Sequence, residues 1–238
     1  AEHRSRPLTR QMVAEADESL MEKFFEAGTL TQEQLVSGLR AATASGTMFP
    51  LLCASAALNI AIQPLLDAIV GYVPSPADRP LKMIDPKTGD EIERPFSDSG
   101  PATAFVWKTI ADPFAGRITM FRVMSGVLKA DSTVHNKTRD ASERLGHVVL
   151  LQGKTQTNVP ELRAGDLGAV PKLKDTLTND TLGDKSDPAV FPALKYPEPV
   201  LSYAIEPKSR GDEDKINQSM HRLEEEDPSI SYSRDPQT

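Results

Sequence analysis

Ala111-Asp-Pro-Phe-Ala-Gly-Arg-Ile-Thr-Met-Phe-Arg-Val-Met-Ser-Gly-Val-Leu128 is the stretch that decides the fold. Two β-rich runs flank a Pro/Gly turn, and Gly126 closes the second run. On a strand, Ile118, Met120 and Arg122 fall on one face, and Thr119, Phe121 and Val123 on the other. A strand with both faces in use suits a small closed barrel. Similar runs recur around it: Ala102–Ile110, Arg117–Val123, Thr133–Asn136, Glu143–Leu151 and Leu167–Lys172. Turn residues separate them at Pro113–Gly116, Ser125–Gly126, Gly153 and Gly165. Many short strands with frequent turns predict an all-β barrel.

Outside this segment the pattern changes. Towards the N-terminus, Val13, Ala16, Leu20, Phe24 and Ala27 recur at three- and four-residue steps and predict one amphipathic helix, stopped by Gly28. Thr31-Gln-Glu-Gln34 reads as a capping box opening a second helix. Met48–Ala54 is a short apolar run that predicts a buried strand, with Cys53 as a core residue. A third helix starts near Pro64. This order suits the tail of an α/β domain whose other strands would precede Ala1. Val73–Pro80 is a stiff linker and Leu81–Arg94 a small hairpin. After Pro188, Pro192 and Pro197, a strand at Pro199–Ile205, a charged helix at Asp212–Glu226 and a strand at Ile230–Tyr232 predict a βαβ unit. The expected architecture is mixed and multi-domain: a partial α/β unit over 1–76, linker and hairpin over 77–100, an all-β barrel over 101–187, and a partial α+β unit over 188–238.

Aromatics make up only 5% of the 238 residues while Pro numbers 19, which suits several modest units better than one large core. The single Cys53 excludes an intrachain disulfide and favours an intracellular origin. No apolar run reaches the length of a membrane helix. The net charge of −7 is unevenly spread. Pro101–Lys185 holds 12 Lys and Arg against 9 Asp and Glu, and the remainder holds 15 against 25. The barrel is therefore the part suited to face a polyanion, although such a balance is also common on solvated surfaces.

Three patterns imitate nucleotide-binding motifs and fail. Gly153-Lys-Thr155 lacks the first Gly, since Val148 stands there, and no helix can follow it. Asn136-Lys137 is followed by Arg139 where an Asp would be required. Asp180-Thr-Leu-Gly183 is too loose to count. His3, His135, His147 and His221 are scattered without Cys partners, so no metal site is expected. No Ser or Cys stands in a nucleophile context, and no catalytic residue is assigned. Ser55-Ala56 is different: it lies between the expected strand and a helix, where open α/β sheets bind ligands. It reads either as a tight turn or as a place where backbone N–H groups approach a base or phosphate.

Cys53-Ala-Ser-Ala56 with Asn59, Gln63-Pro-Leu-Leu-Asp67 and Tyr72-Val-Pro-Ser-Pro76 resembles the end of the G domain of bacterial translation elongation factor G. Ala111–Arg117, Arg122–Gly126, Ala164–Val170, Lys174-Asp-Thr176 and Asp180-Thr-Leu182 resemble its domain II barrel. Pro197–Val200, Ile205–Lys208 and Leu223–Pro228 resemble the start of its domain III. Order and spacing agree along nearly the whole chain. Leu58 and Ile60 stand where the family usually carries polar residues beside the Asn; Asn179 replaces a usual Gly and Met124 a usual Tyr. These departures suggest a divergent paralogue.

The resemblance implies a GTPase that couples GTP hydrolysis on the ribosome to movement of tRNA and mRNA. It assigns Ser55 and Ala56 to the fifth guanine-nucleotide motif, through backbone N–H. The family's P-loop, switch regions and Asn-Lys-x-Asp would lie before Ala1, so GTP or GDP with Mg²⁺ is expected of an intact parent and no hydrolysis of this segment alone. The family's domain II docks on small-subunit RNA. Arg117, Arg122, Lys129, Arg139 and Arg144 are the candidate phosphate contacts here, each equally readable as solvated surface. A cytoplasmic, membrane-free monomer is implied. A ribosomal protection factor or other paralogue, a standalone RNA-binding barrel, and a barrel acting only as a spacer remain open.

Overall fold

The structure is a computed structural model describing residues 7–112 and 116–234. It divides into two units, 1–78 and 79–238.

In the first unit the expected single helix is two: α1 (Pro7–Glu15) and α2 (Glu18–Ala27). Asp17 causes the break. Its carboxylate accepts from the N–H groups of Ser19 at 2.9 Å and Leu20 at 3.2 Å, capping α2 and competing with continuation of α1. The capping box forms as read: Thr31 opens α3 (Gln32–Ser45), and Gln34 bonds back to its N–H. Val13, Ala14, Leu20, Leu30 and Leu35 make the core, with Phe24, Leu39 and Met48 against it. Gly38 allows this packing. A Cβ there would meet Val13 Cγ1 at 2.4 Å and Leu20 Cδ1 at 2.7 Å. The third expected helix is α4 (Ile62–Tyr72).

Met48–Ala54 does not form the expected strand, and Cys53 is exposed rather than buried. A strand exists only through a neighbour's hydrogen bonds, and none of the described residues supplies them along this run. Phe49, Leu51 and Leu52 consequently stand exposed, as do Leu66, Ile69 and Val70 on α4.

The second unit starts with the expected hairpin, β1 (Leu81–Ile84) paired antiparallel with β2 (Glu91–Arg94). The barrel strands follow: β3 (Thr103–Asp112), β4 (Gly116–Ser125), β5 (Val127–Lys129), β6 (Ser132–Asn136), β7 (Ala141–Leu145), β8 (Val148–Gln152), β9 (Thr155–Val159), β10 (Glu161–Arg163), β11 (Leu167–Pro171) and β12 (Thr181–Gly183). Eight of them form one antiparallel sheet in the order β7-β6-β12-β3-β4-β11-β8-β9, and β5 pairs with β10 in a separate ribbon. The sheet curls rather than closing on itself. The ribbon gives Leu128 and Leu162 to the same core as Val106, Phe121, Val123, Leu145 and Leu182. Ile118, with Val149 and Ala169, packs on the other face of β4, so both faces of the deciding strand are used. The turn at Pro113–Gly116 lies largely outside the described residues.

Glu143–Leu151, expected as one long strand, is β7 and β8. The chain changes neighbours at Gly146: β7 pairs with β6, whereas β8 pairs with β9 and β11. At the second Gly, 126, φ is +68°, and a Cβ would sit 2.6 Å from Ala102 Cα and 2.7 Å from Gly100 O. Only glycine fits this crossing.

An ion cluster ties the hairpin to the barrel. Arg94 donates to both oxygens of Asp187 at 2.7 and 2.6 Å, and Lys137 Nζ donates at 2.8 Å. Asp187 is buried.

The final segment holds one helix, α5 (Glu213–Glu226). Neither Pro199–Ile205 nor Ile230–Tyr232 is a strand, again for want of a pairing edge among the described residues. Val200, Leu201 and Tyr203 stand exposed. Tyr232 instead folds back on α5, its N–H donating to Glu224 Oε1 at 2.6 Å and its ring edge-on to His221.

Candidate nucleic-acid interface

The five candidate cations separate into two groups. Arg117, at the start of β4, and Arg139, in the β6–β7 turn, share a cleft of about 530 Å³ with Lys174, Asp175, Leu177, Ala141 and Glu225. Arg117 donates from one terminal nitrogen to Lys174 O at 2.7 Å and from the other to the Glu225 carboxylate. Arg139 Nε donates to buried Asp180 at 2.7 Å, with the Arg139 side chain still 42% exposed. Lys174, which the sequence marks only as part of Lys174-Asp-Thr176, is not among the five candidate contacts. Its position is set from a distance: buried Glu143 accepts from the N–H groups of Lys174 at 3.2 Å and Asp175 at 2.7 Å, and from Thr176 Oγ1 at 2.9 Å.

The other three lie apart from this cleft. Arg122 Nε donates to Gly165 O at 3.3 Å. Arg144 faces Asp131 at 3.9 Å, both well exposed. Lys129 lines a separate cleft of about 400 Å³ with Ser132, His135 and Lys185.

The imitation motifs have structural work. Asn136 and Asp180 hold the loop that carries Lys174: Asn136 Nδ2 donates to Asp180 Oδ2 at 2.8 Å and Thr176 Oγ1 at 3.2 Å, and Leu177 N–H donates to Asp180 at 2.8 Å. Lys137 belongs to the Asp187 cluster. There, burial pushes the Asp187 carboxyl up, but hydrogen bonds from Arg94 and Lys137 outweigh it and hold it well below its ordinary value of 3.8. Burial pushes the Lys137 ammonium down, against the pull of Asp187. Among the described residues no group of His, Cys, Asp and Glu could hold a metal ion.

At the Ser55-Ala56 turn, Ser55 N–H donates to Ile60 O at 3.0 Å and Ile60 N–H returns the bond to Ser55 O. Ser55 Oγ accepts from Leu58 N–H at 3.4 Å. The Ser55 N–H is thus occupied within its own turn. Ala56 is exposed, and its N–H has no hydrogen bond among the described residues.

Residues 101–185 match the family described as Elongation factor G domain 2, and residues 196–238 match Elongation Factor G, domain III. The chain belongs to the elongation factor G family. A solved crystal structure from Thermus thermophilus is similar at 29% identity and a TM-score of 0.75, over 98% of this chain and 33% of that one. The chain thus spans about a third of the length of the solved protein it matches. In this elongation factor G chain, the cationic cleft lies where the two matched segments meet: Arg117, Arg139 and Lys174 come from the first and Glu225 from the second. No helix among the described residues is long and apolar enough to cross a membrane.

Proposed function

We propose that this chain is the part of an elongation factor G-type GTPase that docks on small-subunit ribosomal RNA. In that reading the intact protein couples GTP hydrolysis to movement of tRNA and mRNA. The observation that carries the reading is the Arg117–Arg139–Lys174 cleft in a chain of this family. Two guanidinium groups and an ammonium around one opening suit phosphates of an RNA backbone. Arg122, Lys129 and Arg144 would add peripheral charge as the surface approaches. The nucleotide is met at the first unit, where Ala56 would give its N–H to the guanine carbonyl oxygen while Ser55 braces the turn. Mg²⁺ with GTP would supply the phosphoryl-transfer chemistry; no ligand set for it stands among the described residues, and we expect no hydrolysis by this segment alone.

The test is co-sedimentation with purified small ribosomal subunits over a salt series. Association that weakens steadily as salt rises is the expected result. Absence of association at low salt would overturn the reading. Leu58 and Ile60, apolar and exposed beside the Ser55 turn, favour a paralogue such as a ribosomal protection factor as the second reading. It would show as subunit binding without stimulation of translocation by the intact protein.

A further inference from the structure

We infer that Glu225 and an RNA phosphate are alternative occupants of the Arg117 cleft, so that docking of α5 and RNA binding by this face compete. This rests on the RNA-docking reading above and adds its regulation.

Three consecutive carboxylates end α5, and each has a different partner. Glu224 accepts from Tyr232 N–H within the same segment. Glu226 accepts from Ala111 N–H at 2.5 Å, and its carbonyl accepts from Lys108 Nζ at 3.0 Å. These two contacts fasten the helix end to β3. Of the three carboxylate groups, that of Glu225 is the one paired with a cationic side chain of the barrel among the described residues, Arg117. Arg117 gives Glu225 one terminal nitrogen while Lys174 O holds the other, so the Glu225 carboxylate occupies the place that one phosphate oxygen would take.

Besides the Arg117–Glu225 pair, the cleft lining sets two cations, Arg139 and Lys174, against one carboxylate, Asp175. Lys174 has no carboxylate partner among the described residues, and Arg139 bonds Asp180 through Nε alone while remaining partly exposed. The Arg117–Glu225 pair is itself partly open to solvent, with side chains 22% and 33% exposed. A pair so placed is weak enough for a polyanion to displace. A phosphodiester run would meet all three cations at once, whereas Glu225 meets one. By linkage, whatever affinity RNA gains when Glu225 lets go, α5 loses in docking when RNA binds.

The experiment uses the full chain and a fluorescein-labelled RNA hairpin, read by anisotropy over a salt series. Glu225→Gln keeps the shape and removes the charge, and should tighten binding about fivefold at low salt. Arg117→Gln should weaken binding about tenfold and flatten the salt slope by about one charge. Arg117→Lys, which keeps a charge but not the fork, should fall between. If wild type binds and Glu225→Gln changes nothing, the competition is overturned while the docking reading stands. If Glu225→Gln tightens binding but Arg117→Gln does so equally, the cleft is not the RNA site and the inference is likewise overturned. If neither wild type nor variants bind, both readings fall.

Discussion

Arg94 sends two donors to Asp187 and Lys137 adds a third, joining β2, the β6–β7 turn and the chain after β12. Removing one member of a buried ion cluster leaves the others unpaired in a poor solvent for charge. Asp187→Asn should therefore cost about 3 kcal/mol in urea unfolding. The sign with pH follows from the depressed carboxyl. A group held below its ordinary value stabilises the fold above that value and loses the contribution as pH falls through it. Wild-type stability should thus drop below about pH 4, and Asp187→Asn should lose less over the same window. Glu143 is the matching residue under the cleft. Glu143→Gln places an amide against N–H donors, and should cost about 2 kcal/mol and weaken RNA binding through a displaced Lys174. The types of Arg117 and Arg139 were legible in the sequence as phosphate-binding candidates. Lys174 was not, because what orients it is a carboxylate 31 residues away.

Elements were legible where their signals are local. Thr31 and Gln34 define the start of α3 within four residues, and the β1–β2 hairpin announces its own turn. Thr31→Ala should lower stability by about 1 kcal/mol, read by thermal unfolding of the first unit. Elements failed where a partner decides. Asp17 splits one apolar stripe into two helices because a side chain competes for the backbone. Gly146 splits one apolar run because the neighbouring strands change there. Met48–Ala54 and Pro199–Ile205 have the composition of strands, and composition cannot supply the adjoining edge. The β4–β5 corner is decided by steric space. Gly126→Ala should cost about 2 kcal/mol, since it combines a left-handed φ with a backbone collision at Ala102.

At the scale of the whole molecule, the barrel is the best-buried part, and the apolar residues left exposed concentrate outside it, at Phe49–Leu52, on α4 and at Val200–Ile205. Charge follows the same division, with the basic excess confined to the barrel region of an otherwise acidic chain. The two facts meet at the cleft: the well-buried barrel carries the cations, and α5 is fastened beside them through Glu225 and Glu226. Hydroxyl-radical footprinting of small-subunit RNA, with and without this chain, tests the docking account most directly. It predicts protection of one discrete RNA segment, reduced by Arg117→Gln and faded by salt. Unchanged cleavage of the RNA, or a footprint indifferent to both Arg117 and salt, would contradict it.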